Sequence, residues 1–215
     1  MVGIDCFTDY YAREIKERNL EALRQRPSFR FVEARLQDVA LDPLLDGVTH
    51  VFHLAAQARV RGSWGDQFRS YTSHNIDATQ RLLEAVKGRP LTRLVYASSS
   101  SVYGDVATIP MREQSILQPV SPYGVTKLAA EHLCHLYYVN HGVPTVSLRY
   151  FTVYGPRQRP DMAFNRFIRA ALLGEPITLY GDGEQTRDFT FVADAVAATV
   201  AAGDRGRPGA VYNIG

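Results

Sequence analysis

The chain reads as an α/β protein built on a doubly wound parallel sheet, and two patterns carry that reading. Short strand-like segments alternate along the whole length with longer segments of helical spacing, the order that places helices on both faces of a mostly parallel sheet. Several of the strand-like segments are apolar at successive positions, as strands covered on both faces are. No internal repeat or low-complexity linker divides the 215 residues, a length that one core can serve. A single domain over 1–215 is expected.

The elements follow in order. An apolar run from Val2 to Ile4 ends on a lone acid, Asp5, and a helical segment follows at about 10–25. Strands are expected at 29–34 (FRFVEA) and 48–54 (VTHVFHL), where β-branched and aromatic residues cluster. A second helical stretch spans about 66–87, and the strand at 92–98 (TRLVYAS) runs into four serines, 98–101. The spacing then predicts a helix over 121–141, with Ser121 as N-cap and Pro122 at the first helical position. A strand at 144–150 (PTVSLRY), a helix at 162–173, a strand at 177–180 (ITLY), a helix at 191–202 and a strand at 210–214 (AVYNI) complete the pattern.

Bulk composition narrows the function. Apolar content of 46% and charged content of 21% are those of an ordinary globular protein. A net charge of +2 gives no ground for a nucleic-acid or membrane-surface binder. No apolar run reaches the roughly 20 residues of a membrane-spanning helix. Cys6 and Cys134 are far apart, outside any metal-ligand spacing and too few for a disulfide framework, which fits a cytoplasmic setting.

Three stretches carry chemistry. The strand ending in "YASSSSVYG" (96–104) puts hydroxyls at the carboxyl end of the sheet, where ligands of open α/β folds bind; a plain polar loop would read the same. In "SPYGVTKLAAEHL" (121–133) Tyr123 and Lys127 are one turn apart on one helix face. An ammonium beside a phenol stabilises the phenolate and lowers a tyrosine pKa from about 10, giving a general base near neutral pH. An i,i+4 surface pair is the plainer alternative. The third stretch is "RYFTVYGPRQRPDMAF" (149–164) followed by "LYGDGEQTRDFTFV" (179–192), rich in arginines able to grip phosphate or carboxylate.

Serine strand end, Tyr-x-x-x-Lys and "LRYFTVYGP" together resemble the extended short-chain dehydrogenase/reductase family, in its NAD-dependent epimerase/dehydratase branch, from Asp5 to Gly215. The resemblance implies a Rossmann-like fold with NAD as cofactor and a catalytic triad of Ser99, Tyr123 and Lys127. It makes Asp5 the adenosine-ribose ligand, sets Asp38 and Val39 against adenine, and lines the cofactor with Leu54, Ala55 and Ala56. Asn75 becomes a further polar contact near the cofactor, Phe151 a neighbour of the nicotinamide, and Lys127 a ligand of its ribose. Substrate contacts fall to Ser99, Ser100, Thr152, Arg159 and Arg187 within or near elements at 152–190, with Arg187 on the diphosphate. Relatives form homodimers through helices that correspond to 66–87 and 121–141.

Related dehydratases carry an Asp-Glu pair where Ser100 and Ser101 stand, and decarboxylating relatives place a Glu in that region. Without such an acid, a 4-keto sugar has only hydride return open to it, so the resemblance implies a UDP-sugar 4-epimerase. Thr152 and Arg159 lean toward UDP-glucuronate over UDP-glucose, with Arg61 a further candidate cation. A dehydratase or decarboxylase is the alternative within the family. The family's first strand and its Gly-x-x-Gly-x-x-Gly turn find no counterpart here, nor does its C-terminal substrate segment. The sequence therefore reads as truncated at both ends, and a catalytically inactive remnant is the alternative outside enzymes.

Overall fold

A computed structural model describes residues 1–105, 109–179, 182–184 and 186–215. In chain order the elements are β1 (Val2–Asp5), α1 (Arg13–Arg24), β2 (Arg30–Glu33), β3 (His50–His53) and α2 (Phe68–Tyr71). A π turn (Thr72–Asp77), α3 (Ala78–Val86), β4 (Arg93–Ser99), α4 (Pro122–His141) and β5 (Thr145–Tyr150) follow. The chain ends with β6 (Thr152–Tyr154), α5 (Ala163–Leu173), β7 (Phe189–Phe191), α6 (Val192–Arg205) and β8 (Val211–Ile214). Every strand pair is parallel. The ladders form three groups: β1 with β2, the central order β3-β4-β5-β8, and β6 with β7.

The sheet is wound on both faces. Leu94 and Tyr96 of β4 pack with Leu82, Leu83 and Val86 of α3 and with Ala130, Cys134 and Tyr137 of α4. Val95, between them, faces the other way and joins Val146 and Leu148 of β5 and Ala202 of α6. That alternation is the two-residue period of a strand, and burial on both sides explains the apolar run Leu94–Ala97 of β4, while β5 buries Thr145, Ser147 and Arg149 on one of its faces.

α4 begins and ends where the sequence places it. Ser121 Oγ accepts the Gly124 N–H at 3.1 Å, and Gly142 closes the helix in the left-handed conformation at φ 66°, which glycine adopts without a steric penalty.

One expectation is corrected. Residues 177–179 of the expected ITLY strand are irregular, while Tyr180, with Gly181 and Gln185, lies outside the described residues. The strands that do form in this half are β6 and β7, three residues each. An aromatic cluster ties them to α5, with Phe164 4.8 Å from Phe189 and 5.0 Å from Tyr154 between ring centroids.

Beneath the carboxyl end of the central sheet lies a buried polar network. Arg149 of β5 donates from Nη2 to Glu131 Oε1 of α4 at 2.5 Å and from Nε to Oε2 at 3.1 Å. Ser98 Oγ of β4 donates to the same carboxylate at 2.6 Å. Arg149 Nη1 donates to Tyr103 Oη at 2.8 Å, and that hydroxyl donates to Asn213 Oδ1 of β8 at 2.7 Å. Removing one partner strands a buried charge. Arg149→Met should lower unfolding free energy by about 3–5 kcal/mol, measured by urea titration; a loss under about 1 kcal/mol would show that water reaches the pair.

Candidate active site

Ser99, Tyr123 and Lys127 meet where β4 ends against the first turns of α4. Ser99 Oγ accepts the Ser101 N–H at 3.2 Å, which turns the chain sharply after the strand. The Ser99 hydroxyl stands close enough to the Tyr123 phenol to favour its ionised form. Gly124 lets the helix come this close: a Cβ there would sit 2.5 Å from the Ser101 carbonyl oxygen. The four-residue spacing brings Lys127 to the same side, fully buried beside β4.

The electrostatics differ from the sequence expectation in one respect. Burial pushes the Tyr123 phenol up from its ordinary value, and the Ser99 hydroxyl and the Arg159 charge only partly offset this. Lys127 is not what acts on it. Its ammonium instead lies 4.7 Å from the centre of the Tyr96 ring. Burial brings Lys127 down to about 8, opposed by Cys134 and Glu131. The expected lowering of the phenol by the lysine is therefore corrected: desolvation dominates both groups and favours the neutral forms.

Asn75 belongs to the frame of the site. Its side chain accepts the Gln57 N–H at 2.7 Å and donates to the Gln57 carbonyl at 3.0 Å and to Thr126 Oγ1 at 2.9 Å. It thus pins the loop after β3 to α4 between Tyr123 and Lys127. The π turn carries it there, a wide turn often found at functional sites. Thr79 donates to the Asn75 carbonyl at 2.7 Å, so its oxygen accepts from His53 Nε2 at 2.8 Å, which assigns the Nε2–H tautomer.

A cavity of about 380 Å³ opens at the carboxyl ends of β1 and β3, lined by Asp5, Gln37, Ala55, Ala56, Gln57 and Arg159 among others. Asp5 sits at the tip of β1 with Oδ1 accepting the Phe7 N–H at 2.8 Å. A strand-end carboxylate beside small alanines fits a dinucleotide lying along the cleft. Leu54 is exposed and outside this lining. Asp38 pairs with Arg35 at 3.6 Å, and Val39 packs against the core, while Leu36 and Gln37 reach the cavity wall instead.

The substrate-side residues lie on the next elements. Phe151 follows β5 and its N–H donates to the Ile214 carbonyl at 2.9 Å. Thr152 starts β6, with its N–H on the Asp188 carbonyl at 3.2 Å. Ser100 opens the turn after Ser99 and is half-buried. Arg187 is exposed, its Nη1 on the Thr186 carbonyl at 2.6 Å. Arg159 reaches the cavity and lies near enough to act on Tyr123.

Sequence reasoning missed three groups here. Tyr71 sets its ring edge-on to Tyr123 with centroids 6.3 Å apart, and its hydroxyl donates to the Ala58 and Arg59 carbonyls. Tyr10 and Asp161 meet across 151 residues, a separation that no local pattern signals. Glu131 was within reach of the Tyr-x-x-x-Lys spacing, standing one turn beyond Lys127. Among the described residues no group of His, Cys, Asp and Glu side chains could hold a metal ion.

Known proteins supply the comparison. The model of the NAD dependent epimerase/dehydratase family matches residues 8–215. The chain is 47% identical over its full length to an uncharacterised UDP-glucose epimerase of Bacillus subtilis, spanning 68% of that protein. It is 39% identical to a probable UDP-glucuronate 4-epimerase of Rhizobium meliloti, covering 93% of the chain and 60% of the relative. The crystal structure of UDP-glucuronic acid 4-epimerase from Bacillus cereus with UDP-glucuronic acid and NAD superposes with a TM-score of 0.96 at 47% identity, over 100% of this chain and 68% of that one.

His53 yields a pH prediction. Burial, with help from the Lys127 charge, lowers its pKa to about 3, against about 6.5 in the unfolded chain. Between those values the unfolded state binds the extra proton, so stability falls as pH drops through this window. Thermal melts at about pH 7 and about pH 4 should show a smaller acid loss in His53→Gln than in the wild type; equal losses would mean His53 is protonated in the fold.

Proposed function

The chain belongs to the NAD dependent epimerase/dehydratase family, and from that premise we propose that it carries the chemistry of an NAD-dependent UDP-sugar 4-epimerase acting on UDP-glucuronate. The carrying observation is the Ser99–Tyr123 pair at the end of β4, followed by serines and not acids at 100 and 101. NAD, when bound, accepts and returns hydride at the sugar C4. Tyr123, as the phenolate that the nicotinamide charge and Arg159 would favour against burial, takes the C4 hydroxyl proton as that carbon is oxidised and gives it back when the transient 4-keto sugar is reduced from its other face. Ser99 hydrogen-bonds the same oxygen and holds it against the phenol. Lys127 orients the nicotinamide ribose.

Asp5 would hold the adenosine ribose, and Ala55 and Ala56 are small enough to admit the cofactor along the cavity. Asp38, Val39, Leu54, Asn75 and Phe151 complete the proposed cofactor environment. Of these, Asn75 acts through Gln57 and Thr126, since its amide is taken up by them. Thr152 and Arg159 suit a hexuronate carboxylate, Ser100 is the proposed neighbour of the sugar, and Arg187 is the proposed ligand of the UDP diphosphate. The substrate elements lie within 152–190 of one domain spanning 1–215.

A homodimer is proposed through α4 and the helices at 68–86. Val125, Leu136 and Val139 of α4 are exposed and fall on one face by helical spacing, with Phe68 of α2 exposed as well. No described helix is long and apolar enough to cross a membrane, both cysteines are free, and the cytoplasm is the proposed location.

The test is an NMR assay of the chain with NAD and UDP-glucuronate. The galacto epimer should accumulate, and Tyr123→Phe should cut kcat by about 10²–10⁴-fold. Release of CO₂, loss of water from the sugar, or an unaffected Tyr123→Phe variant would overturn the reading. Sedimentation should give twice the monomer mass, and Leu136→Glu should return it to one.

A further inference from the structure

Arg159 does not stand alone in the cavity wall. Its Nε donates to Asp161 Oδ1 at 2.9 Å and its Nη2 to Oδ2 at 3.2 Å, a two-point grip on one carboxylate. Tyr10, from the loop between β1 and α1, donates its hydroxyl to the same Oδ2 at 2.7 Å. The Arg159 guanidinium also lies 5.5 Å from the centre of the Tyr10 ring. Both ion-pair partners are only about a third exposed, at 28% and 31%, so water screens them less than an ordinary surface pair.

The loop that carries Tyr10 is itself anchored. Lys16 of α1 donates to the Thr8 carbonyl and stands 4.6 Å from the centre of the Tyr11 ring. Phe7 packs on Phe31 of β2 with centroids 5.3 Å apart, under the Arg13 guanidinium. Asp5 lies at the base of the same loop. Tyr10 is thus a post fixed on the cofactor side of the cleft, and Asp161 is the link from that post to Arg159.

A guanidinium is planar, so holding its Nε–Nη2 edge sets the direction of the other edge. Among the described residues Nη1 of Arg159 makes no hydrogen bond, which leaves it as the donor for a ligand anion. We infer that Tyr10 and Asp161 are positioning residues: they hold Arg159 for a sugar carboxylate, so that preference for a uronate over a neutral hexose is set from the cofactor-side loop. The inference rests on the uronate reading above. It adds that a residue 149 positions upstream of Arg159 in sequence controls that recognition.

The experiment compares wild type, Tyr10→Phe and Asp161→Asn, each as the full chain with NAD present, by calorimetric titration with UDP-glucuronate and with UDP-glucose. Wild type should bind UDP-glucuronate more tightly. Both variants should lose about tenfold of that preference, the size of one hydrogen bond to a charged group, with UDP-glucose affinity unchanged. Amide exchange at residues 157–162, measured without ligand, should quicken in Tyr10→Phe, the conservative variant that keeps the ring. A wild type with no preference removes the uronate reading, and the positioning role falls with it. A wild type that prefers the uronate, with variants that keep both its preference and its exchange rates, overturns the positioning role alone. Equal losses for both sugars would also overturn it, because they would mark a general weakening of the fold.

Discussion

The ion pair between Arg149 and Glu131 is the contact on which the geometry of the site depends, because its members stand next to the residues that do the chemistry. Glu131 is one helical turn beyond Lys127, Ser98 directly precedes Ser99, and Arg149 lies two residues before Phe151. Both charged side chains are buried, at 3% and 4% exposure, and every oxygen of the carboxylate is met by a donor. Such a pair adds little net stability over a well-packed apolar substitute. What it supplies is a single arrangement: α4 cannot slide along β4 and β5 without breaking charged hydrogen bonds in a low-dielectric interior. Tyr103 and Asn213 extend the constraint to β8, so three of the four strands of the central sheet are tied to one helix.

Burial on this scale also shifts how the site titrates. The fold holds a phenol with a raised pKa and a lysine brought down to about 8, with His53 held neutral by its burial. The cations that bear on this are Arg159, which favours the phenolate of Tyr123, and Lys127, which adds to the burial that keeps His53 neutral. Arg159 therefore has two electrostatic neighbours to satisfy, Asp161 and the phenol, and its placement matters to both.

Much of this was legible in the sequence, for reasons that differ by element. The strands β3, β4 and β5 and the helix α4 announced themselves because their period, caps and length agree. The serine strand end and the Tyr-x-x-x-Lys turn were legible together, each weak alone. The short strands β6 and β7 were not, since three residues cannot display a period and the aromatic cluster that stabilises them joins positions far apart. Asn75 was found by resemblance, but its bonds to Gln57 and Thr126 were not, because they depend on a turn of π geometry that no residue pattern specifies. The influence of Lys127 on Tyr123 was misjudged for a similar reason: spacing gives the shared face and says nothing about the burial that governs both groups.

The π turn at Thr72–Asp77 has a consequence for how this chain can change. A π turn holds one residue more than the α turn it replaces, so the helical stretch from 68 to 86 is one residue out of phase across it. Deleting any single residue between 72 and 77 would let the helix relax into ordinary α geometry, a local gain. It would leave the two halves facing as they do, because the wider turn spreads one extra residue over about the same rotation, but it would displace or remove Asn75 and with it the bonds to Gln57 and Thr126. The stretch is thus held out of its own best helix by what lies on either side of it. Point substitutions there can be absorbed except at Asn75, whereas a one-residue deletion would trade that residue's bonds for a better helix.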